Sequence, residues 1–355
     1  MTIEFIWQLP TSGDSRYGNA DKLRRGERTS AEHPYSPGVT DPRGTSFNYL
    51  DHLHEIARAS ELAGFDGIRI PEDAEGDDPW ILAGYISRGT RHLKILTEFE
   101  ASWGSAVYAA KNAVSFQRFT GGRFAWQIKT GGDAQQRRTQ GDFVKDSDVH
   151  QRIEEFVTVA RGVLTQSPYS FKGRFFEVLN GGFQGPLGGQ VVPPVYLSGN
   201  TEADLSLSAS VADIHIFDAV TVAKLKEQIA SLKSKTDDTK RKVAIGLRLD
   251  IIARETEQEA FRDATRYRNQ TRQTGSVDAL EEHLWGGLTT HVTGANVTLI
   301  GSYQQVSAAL IAYAEAGVTS FLLSATPHFE EAYRIGEHVL PLVHEHLQPQ
   351  QRRAA

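Results

Sequence analysis

The groups able to do chemistry in this 355-residue chain collect where apolar runs end. Ser198-Gly199-Asn200-Thr201 follows the run Val195–Leu197 and precedes a helical stretch that reaches Val211. Gly199 lets the backbone come close, and free N–H groups at a helix start suit a phosphate. An ordinary helix cap by Asn200 or Thr201 fits the same residues. Arg248 and Asp250 lie in the apolar segment Gly246–Asp250 and point to one face of a strand, because strand side chains alternate. Charged groups are rarely buried unless paired. The two therefore either pair with each other or both line a polar opening. His328 follows Pro327 just after the run Phe321–Leu323. It can bond a loop carbonyl, cap the next helix or touch a ligand.

Elements must hold these groups in place. Strand candidates are Ile3–Leu9, Phe65–Ile70, Leu93–Phe99, Arg123–Ile128, Val195–Leu197, Asp213–Phe217, Val243–Ala253 and Val318–Leu323. Each is followed by residues with helical spacing, as in Leu50, Leu53, Ile56 and Ala57. Phe171–Val178 reads as a small surface hairpin. Such alternation implies a parallel sheet. Eight units point to a (β/α)8 TIM barrel of the α/β class, with a doubly wound open sheet as the rival. One domain over residues 1–355 is expected, with loops inserted at 15–46, 129–146 and 273–300. The last of these is expected to be irregular. Barrel active sites lie at the C-terminal strand ends. That rule selects Gln8, Thr11, Ser12, Glu72, Asp73, Glu98, Glu100, Gln127, Lys129, Thr130, Ser198, Asn200, Thr201, Asp218, Arg248, Asp250, Ser324, Thr326 and His328.

Composition removes several classes. Net charge is −6 with both signs mixed, and no basic patch tracks phosphates, so nucleic acid is not a partner. Cysteine is absent, which excludes disulfides and thiolate sites. The N-terminus lacks the basic head and apolar core of a signal peptide, and no apolar run is long enough for a membrane span, so a cytoplasmic protein is expected. No Gly-x-Gly-x-x-Gly opens a helix after a strand, and no P-loop or nucleophile elbow occurs. The pairs His52/His54 and His344/His346 stand two residues apart on helices and point in different directions. They read as solvated surface histidines, and no metal is expected.

Seven segments spread along the chain resemble one family. They are Trp7–Asp14, Ala63–Gly67, Phe119–Arg123, Thr130–Asp133, Gly246–Leu249, Arg254–Thr256 and Pro327–Arg334. Together they resemble the bacterial-luciferase-like flavin monooxygenases, in the alkanesulfonate monooxygenase branch. The resemblance implies a luciferase-like (β/α)8 barrel that binds reduced FMN (FMNH2) from a separate NAD(P)H:flavin reductase and uses O2 to oxygenate a small molecule. It also implies a homodimer or homotetramer. It places the FMN phosphate at Ser198–Thr201, with Gly199 in the turn. His150 would stand near that phosphate in place of a tyrosine. The strand Gln127–Thr130 would pass along the flavin. Residues 273–300 match the family's mobile loop. The loop 15–46, longer than the family's form, would be a lid or a subunit contact.

The departures concern the substrate. Relative to that branch, Ser12 replaces a histidine, a residue near Gly76 a cysteine, Glu100 an arginine, Asp218 a tryptophan, Asp250 a histidine and Thr326 a tyrosine. The mobile-loop arginine is missing near His291 and Val292. Arg248 and His328 are retained. A sulfonate needs cations and donors, so a simple alkanesulfonate is not the expected substrate. A neutral, hydroxylated or cationic compound is, unless Arg248, Lys129 or loop arginines take up the carboxylates. The rival functions are a deazaflavin (F420)-dependent oxidoreductase of the same fold and a non-catalytic flavin-binding protein. A metal hydrolase on this barrel is a more distant one.

Overall fold

Short apolar strands bounded by Gly, Pro and Asp alternate with helices along the chain. The computed structural model describes residues 3–11, 49–74, 76–132, 134–270, 278–287 and 297–354. Its strands are β1 Glu4–Gln8, β2 Gly67–Ile70, β3 Lys94–Phe99, β4 Phe124–Ile128, β5 Tyr169–Lys172, β6 Glu177–Gly181, β7 Val195–Ser198, β8 Ile214–Asp218, β9 Ala244–Arg254, β10 Asp278–Glu281, β11 Leu284–Gly286, β12 Val297–Ser302 and β13 Val318–Ser324. The fold is a (β/α)8 barrel: β1, β2, β3, β4, β7, β8, β9 and β13 close a parallel ring with helices around it. These are the eight strands expected from the apolar runs. By packing, the chain divides into two compact units.

The first unit comprises Met1–Leu93, Asp218–Gln228 and Gly246–Ala355. In it β1 pairs in parallel with β13, Ile6 opposite Leu322, and with β2, Gln8 opposite Arg69. Phe5 stacks on Phe321 at 5.4 Å, and Trp7 packs on Phe65 at 5.0 Å. All four are buried, and each such side chain contributes about 1.5–3 kcal/mol. The stretch 273–300 is not wholly irregular. Its described part forms β10, β11 and β12, and β12 runs parallel to the second half of β9. The strand signal in Val297–Ser302 is brief and follows a Gly/Thr-rich stretch, so periodicity alone misses it. The histidine expectation also needs correction. His52 is buried and His54 packs edge-on to Tyr85 at 5.7 Å, while His346 is exposed beside Glu315. The helix Tyr49–Leu62 turns His52 and His54 toward its neighbours, not toward water.

The second unit comprises Lys94–Phe217 and Ile229–Ile245. Here β3, β4, β7 and β8 run side by side in parallel, with Glu98 opposite Gln127 and Ser198 opposite Ile216. Phe99, Trp126 and Phe156 form its aromatic centre, with ring centroids 5.9–6.3 Å apart. The hairpin β5–β6 lies where the sequence places one. Its turn is pinned by the buried Glu155, whose carboxylate accepts backbone N–H bonds from Arg174 (3.0 Å), Phe175 (2.8 Å) and Phe176 (3.2 Å). Burial disfavours the charged Glu155, but these bonds outweigh it and hold its pKa below the ordinary value. A lowered carboxylate pKa stabilises the fold above the unfolded value, about 4.3, and that stability is lost as pH falls through the folded value. The protection factors of the Arg174–Phe176 amides, referred to intrinsic exchange at each pH, should therefore fall selectively as acidification protonates Glu155. Glu155→Gln should show the lower protection already at neutral pH. Equal protection in wild type and variant would refute the pin.

Candidate functional site

In the second unit the ends of β4 and β7 come together. Thr130 Oγ1 donates to the Ser198 carbonyl, so two residues assigned to the cofactor are joined. The chain leaves β7 through Gly199, at φ 132°, which side-chain-bearing residues rarely adopt. The helix Glu202–Val211 starts at once, and its first turn is a capping box. Asp204 accepts from the Thr201 N–H (3.0 Å) and Oγ1 (2.6 Å), and its own N–H donates to Thr201 Oγ1 (3.2 Å). His150, near the start of the helix Val149–Thr165, places Nε2 2.8 Å from the other Asp204 oxygen. Burial disfavours charge on Asp204, but the bonds from Thr201 and His150 hold its pKa below the ordinary value. His215 is buried 2.7 Å from Ser208 Oγ. Burial pulls its pKa to about 4, against the opposing effects of the Gly199 backbone and Asp204, so the ring is neutral at pH 7.

The helix-cap alternative is thus realised in full. Asn200 and Thr201 are exposed, and the Asp204 carboxylate lies against the backbone at Gly199. The charge at this turn is a carboxylate, Asp204, with His150 as its partner. Elsewhere in this unit, Gln127 is buried and its Nε2 donates to Glu98 at 2.6 Å. Glu100 lies 3.7 Å from Lys129 and accepts from Ser102 at 3.2 Å. The loop 129–146 contains a short helix, Ala134–Thr139. It is anchored by Arg152, which grips Asp142 with two bonds of 2.8 and 2.7 Å, and by the Arg137–Asp146 pair.

In the first unit Arg248 pairs with Asp218, not with Asp250. Its Nε and one terminal nitrogen lie 2.8 and 2.7 Å from Asp218 Oδ1. The Ala219 N–H donates to the Arg248 carbonyl at 3.0 Å, and this backbone register brings Asp218 alongside the guanidinium. Asp250 is buried opposite Thr298 of β12. His328 is buried at the start of the helix His328–His338. Its carbonyl accepts from Trp7 Nε1 at 3.1 Å, and its Nε2 lies 3.5 Å from Ser324 Oγ. Thr326 is half-buried beside it. Ser12, the loop 15–46, His291 and Val292 lie outside the described residues. Near the end of β2, a Cβ on Gly76 would sit 1.9 Å from the Thr11 carbonyl oxygen. The backbones touch there, so a side chain at 76 has no room.

Two features escape the reading of the sequence. Asp204 was not singled out, although Thr201-x-x-Asp204 carries the capping-box spacing. Glu331, inside Pro327–Arg334, binds Arg254 of the other matching segment Arg254–Thr256. That contact joins residues 77 positions apart, and no local signal predicts it. Among the described residues, no group of three or more His, Asp or Glu could hold a metal ion.

Residues 28–320 match the family model for luciferase-like monooxygenases. Three solved structures illustrate the likeness. Riboflavin lyase RcaE, solved with modified FMN and riboflavin, has 16% identity and a TM-score of 0.75, covering 98% of this chain and 92% of that one. EDTA monooxygenase EmoA from Chelativorans sp. BNC1 has 14% identity and a TM-score of 0.71, covering 98% and 94%. The coenzyme F420-dependent tetrahydromethanopterin reductase from Methanopyrus kandleri has 12% identity and a TM-score of 0.67, covering 96% and 99%. At these identities the likeness is one of fold.

Proposed function

Because the chain belongs to the luciferase-like monooxygenase family, we propose that it oxygenates a small organic molecule with O2 and reduced FMN, supplied by a separate NAD(P)H:flavin reductase. The observation that carries this reading is the placement of polar pairs at strand C-terminal ends, where barrel enzymes keep their chemistry. Within the second unit these are Thr130 with Ser198 and Lys129 with Glu100. Within the first they are Arg248 with Asp218 and His328 with Ser324.

Reduced FMN supplies the reaction with O2, and the protein's task is to bind, orient and exclude water. Ser198–Thr201 and His150 hold the flavin side chain, and Gln127 and Thr130 fix the strand that runs beside it. Arg248 presents its remaining N–H donors to the substrate, with its direction set by Asp218. His328 is a donor or acceptor held by the helix start. Asp250 and Thr326 are the further substrate-facing candidates of the first unit, and Glu100 that of the second. Asp218 and Glu100 are partnered by Arg248 and Lys129, so they do not make the site a cation trap. The Asp218 partner also balances the charge of Arg248. Among the described residues the Arg248 charge is already balanced by Asp218, which favours a neutral or hydroxylated substrate over a sulfonate. A homodimer or homotetramer is part of this proposal, carried by the resemblance to the family. Among the described residues no helix is long and apolar enough to cross a membrane.

The test is an anaerobic titration with reduced FMN, oxidised FMN and reduced F420, followed by O2 and a panel of neutral compounds. Tighter binding of reduced than oxidised FMN is expected, with product formed only when O2 is added. Binding of F420 alone would replace oxygenation with hydride transfer. No binding of any of the three would end the flavin reading.

A further inference from the structure

The turn to which the reading above assigns the cofactor phosphate carries the wrong charge for one. A helix N-terminus attracts phosphate because its N–H groups are free and its dipole is positive. Here the chain's own carboxylate has taken that place. Asp204 is only 7% exposed and is bonded to the N–H and hydroxyl of Thr201. A Cβ on Gly199 would lie 2.3 Å from the Asp204 carboxylate, so this group rests directly against the backbone of the turn. Glu202 adds a second acid to the same helical turn, and Lys235 pairs with Glu202. Among the described residues no lysine or arginine hydrogen-bonds to Ser198–Thr201. His150 can at best neutralise Asp204 and leaves nothing over for a phosphate dianion. The hydrogen bonds from Thr201 and His150 outweigh the opposing effect of burial and keep Asp204 ionised at neutral pH.

We propose that this protein does not choose its flavin by the 5′-phosphate: Asp204 cancels the attraction of the Ser198–Thr201 turn for phosphate, and riboflavin binds nearly as well as FMN. The inference rests on the flavin reading and makes Asp204 a specificity-determining residue within it. What the site takes is the ring system and ribityl chain. A carboxylate within a few ångströms of a phosphate costs affinity in proportion to the charge product, and removing it releases that affinity.

The experiment is an anaerobic fluorescence or calorimetric titration of wild type and Asp204→Asn with reduced riboflavin and reduced FMN. Asparagine keeps the shape and the oxygen that accepts from Thr201. Wild type should favour FMN over riboflavin by less than about tenfold. Asp204→Asn should tighten FMN about tenfold and leave riboflavin within about twofold. A wild-type preference for FMN above about a hundredfold would overturn the inference while leaving the flavin reading intact. So would an Asp204→Asn variant that binds FMN no better. Failure of both flavins to bind wild type would overturn the flavin reading and this inference with it. If the variant does not fold, the wild-type ratio decides.

Discussion

Glu331→Ala is expected to lose about 3–5 kcal/mol of stability, the cost of stranding a buried charge. Arg254 is 8% exposed and Glu331 2% exposed. The guanidinium donates to both Glu331 oxygens at 2.9 and 3.0 Å, to Asp263 at 2.6 Å and to the Ala253 carbonyl at 2.7 Å. Burial opposes its charge, but Glu331 and Asp263 outweigh that and raise its pKa. Removing Glu331 leaves that largely buried charge with Asp263 as its one carboxylate partner. The pair also ties the end of β9 to the helix His328–His338, so the loss should unfasten both. The informative control is Arg254→Met with Glu331→Leu. Replacing both charges with apolar groups of similar size should cost less than Glu331→Ala alone, with Asp263 left to its second partner Arg266. Urea midpoints of the single and double variants measure this. A Glu331→Ala change below about 1 kcal/mol would show that water reaches Arg254 after all.

Arg248→Ala should lower kcat/KM by about a hundredfold to a thousandfold, the usual loss for one positioned donor in a closed site. Reduced-flavin affinity should stay within about twofold, because the proposed flavin contacts lie on other residues. Arg248→Lys should rescue little, since a point charge cannot span Asp218 and a substrate as a planar fork does. Asp218→Asn should cost about tenfold by loosening the guanidinium. Steady-state rates on a substrate found in the screen, with O2 uptake measured in parallel, give these values. Wild-type kcat/KM in Arg248→Ala would remove Arg248 from the site. A fall in kcat/KM matched by an equal loss of flavin affinity would move it to the cofactor.

The apolar runs by themselves determined the eight ring strands, because a parallel strand buried on both faces reads as a short apolar block bounded by Gly, Pro or Asp. The helix Ala106–Thr120 ends on a glycine that such a boundary requires. Gly121 sits at φ 68°, and its N–H bonds the Gln117 carbonyl. Alternation likewise placed Arg248 and Asp250 on one face, but it could not choose their partners. Only the register of the β8 end against β9 decided that Arg248 takes Asp218 and leaves Asp250 opposite Thr298. Similar limits hid β12, whose partner β9 supplies the pairing its brief pattern does not announce. The sign of charge at the Ser198–Thr201 turn was half legible. The capping-box spacing stood in the sequence, yet its meeting with His150, 54 positions away, belongs to the fold. The Arg254–Glu331 pair is the extreme case. Local spacing determines which face a side chain takes, whereas the identity of a buried charge's partner depends on long-range packing, which no short window of sequence contains.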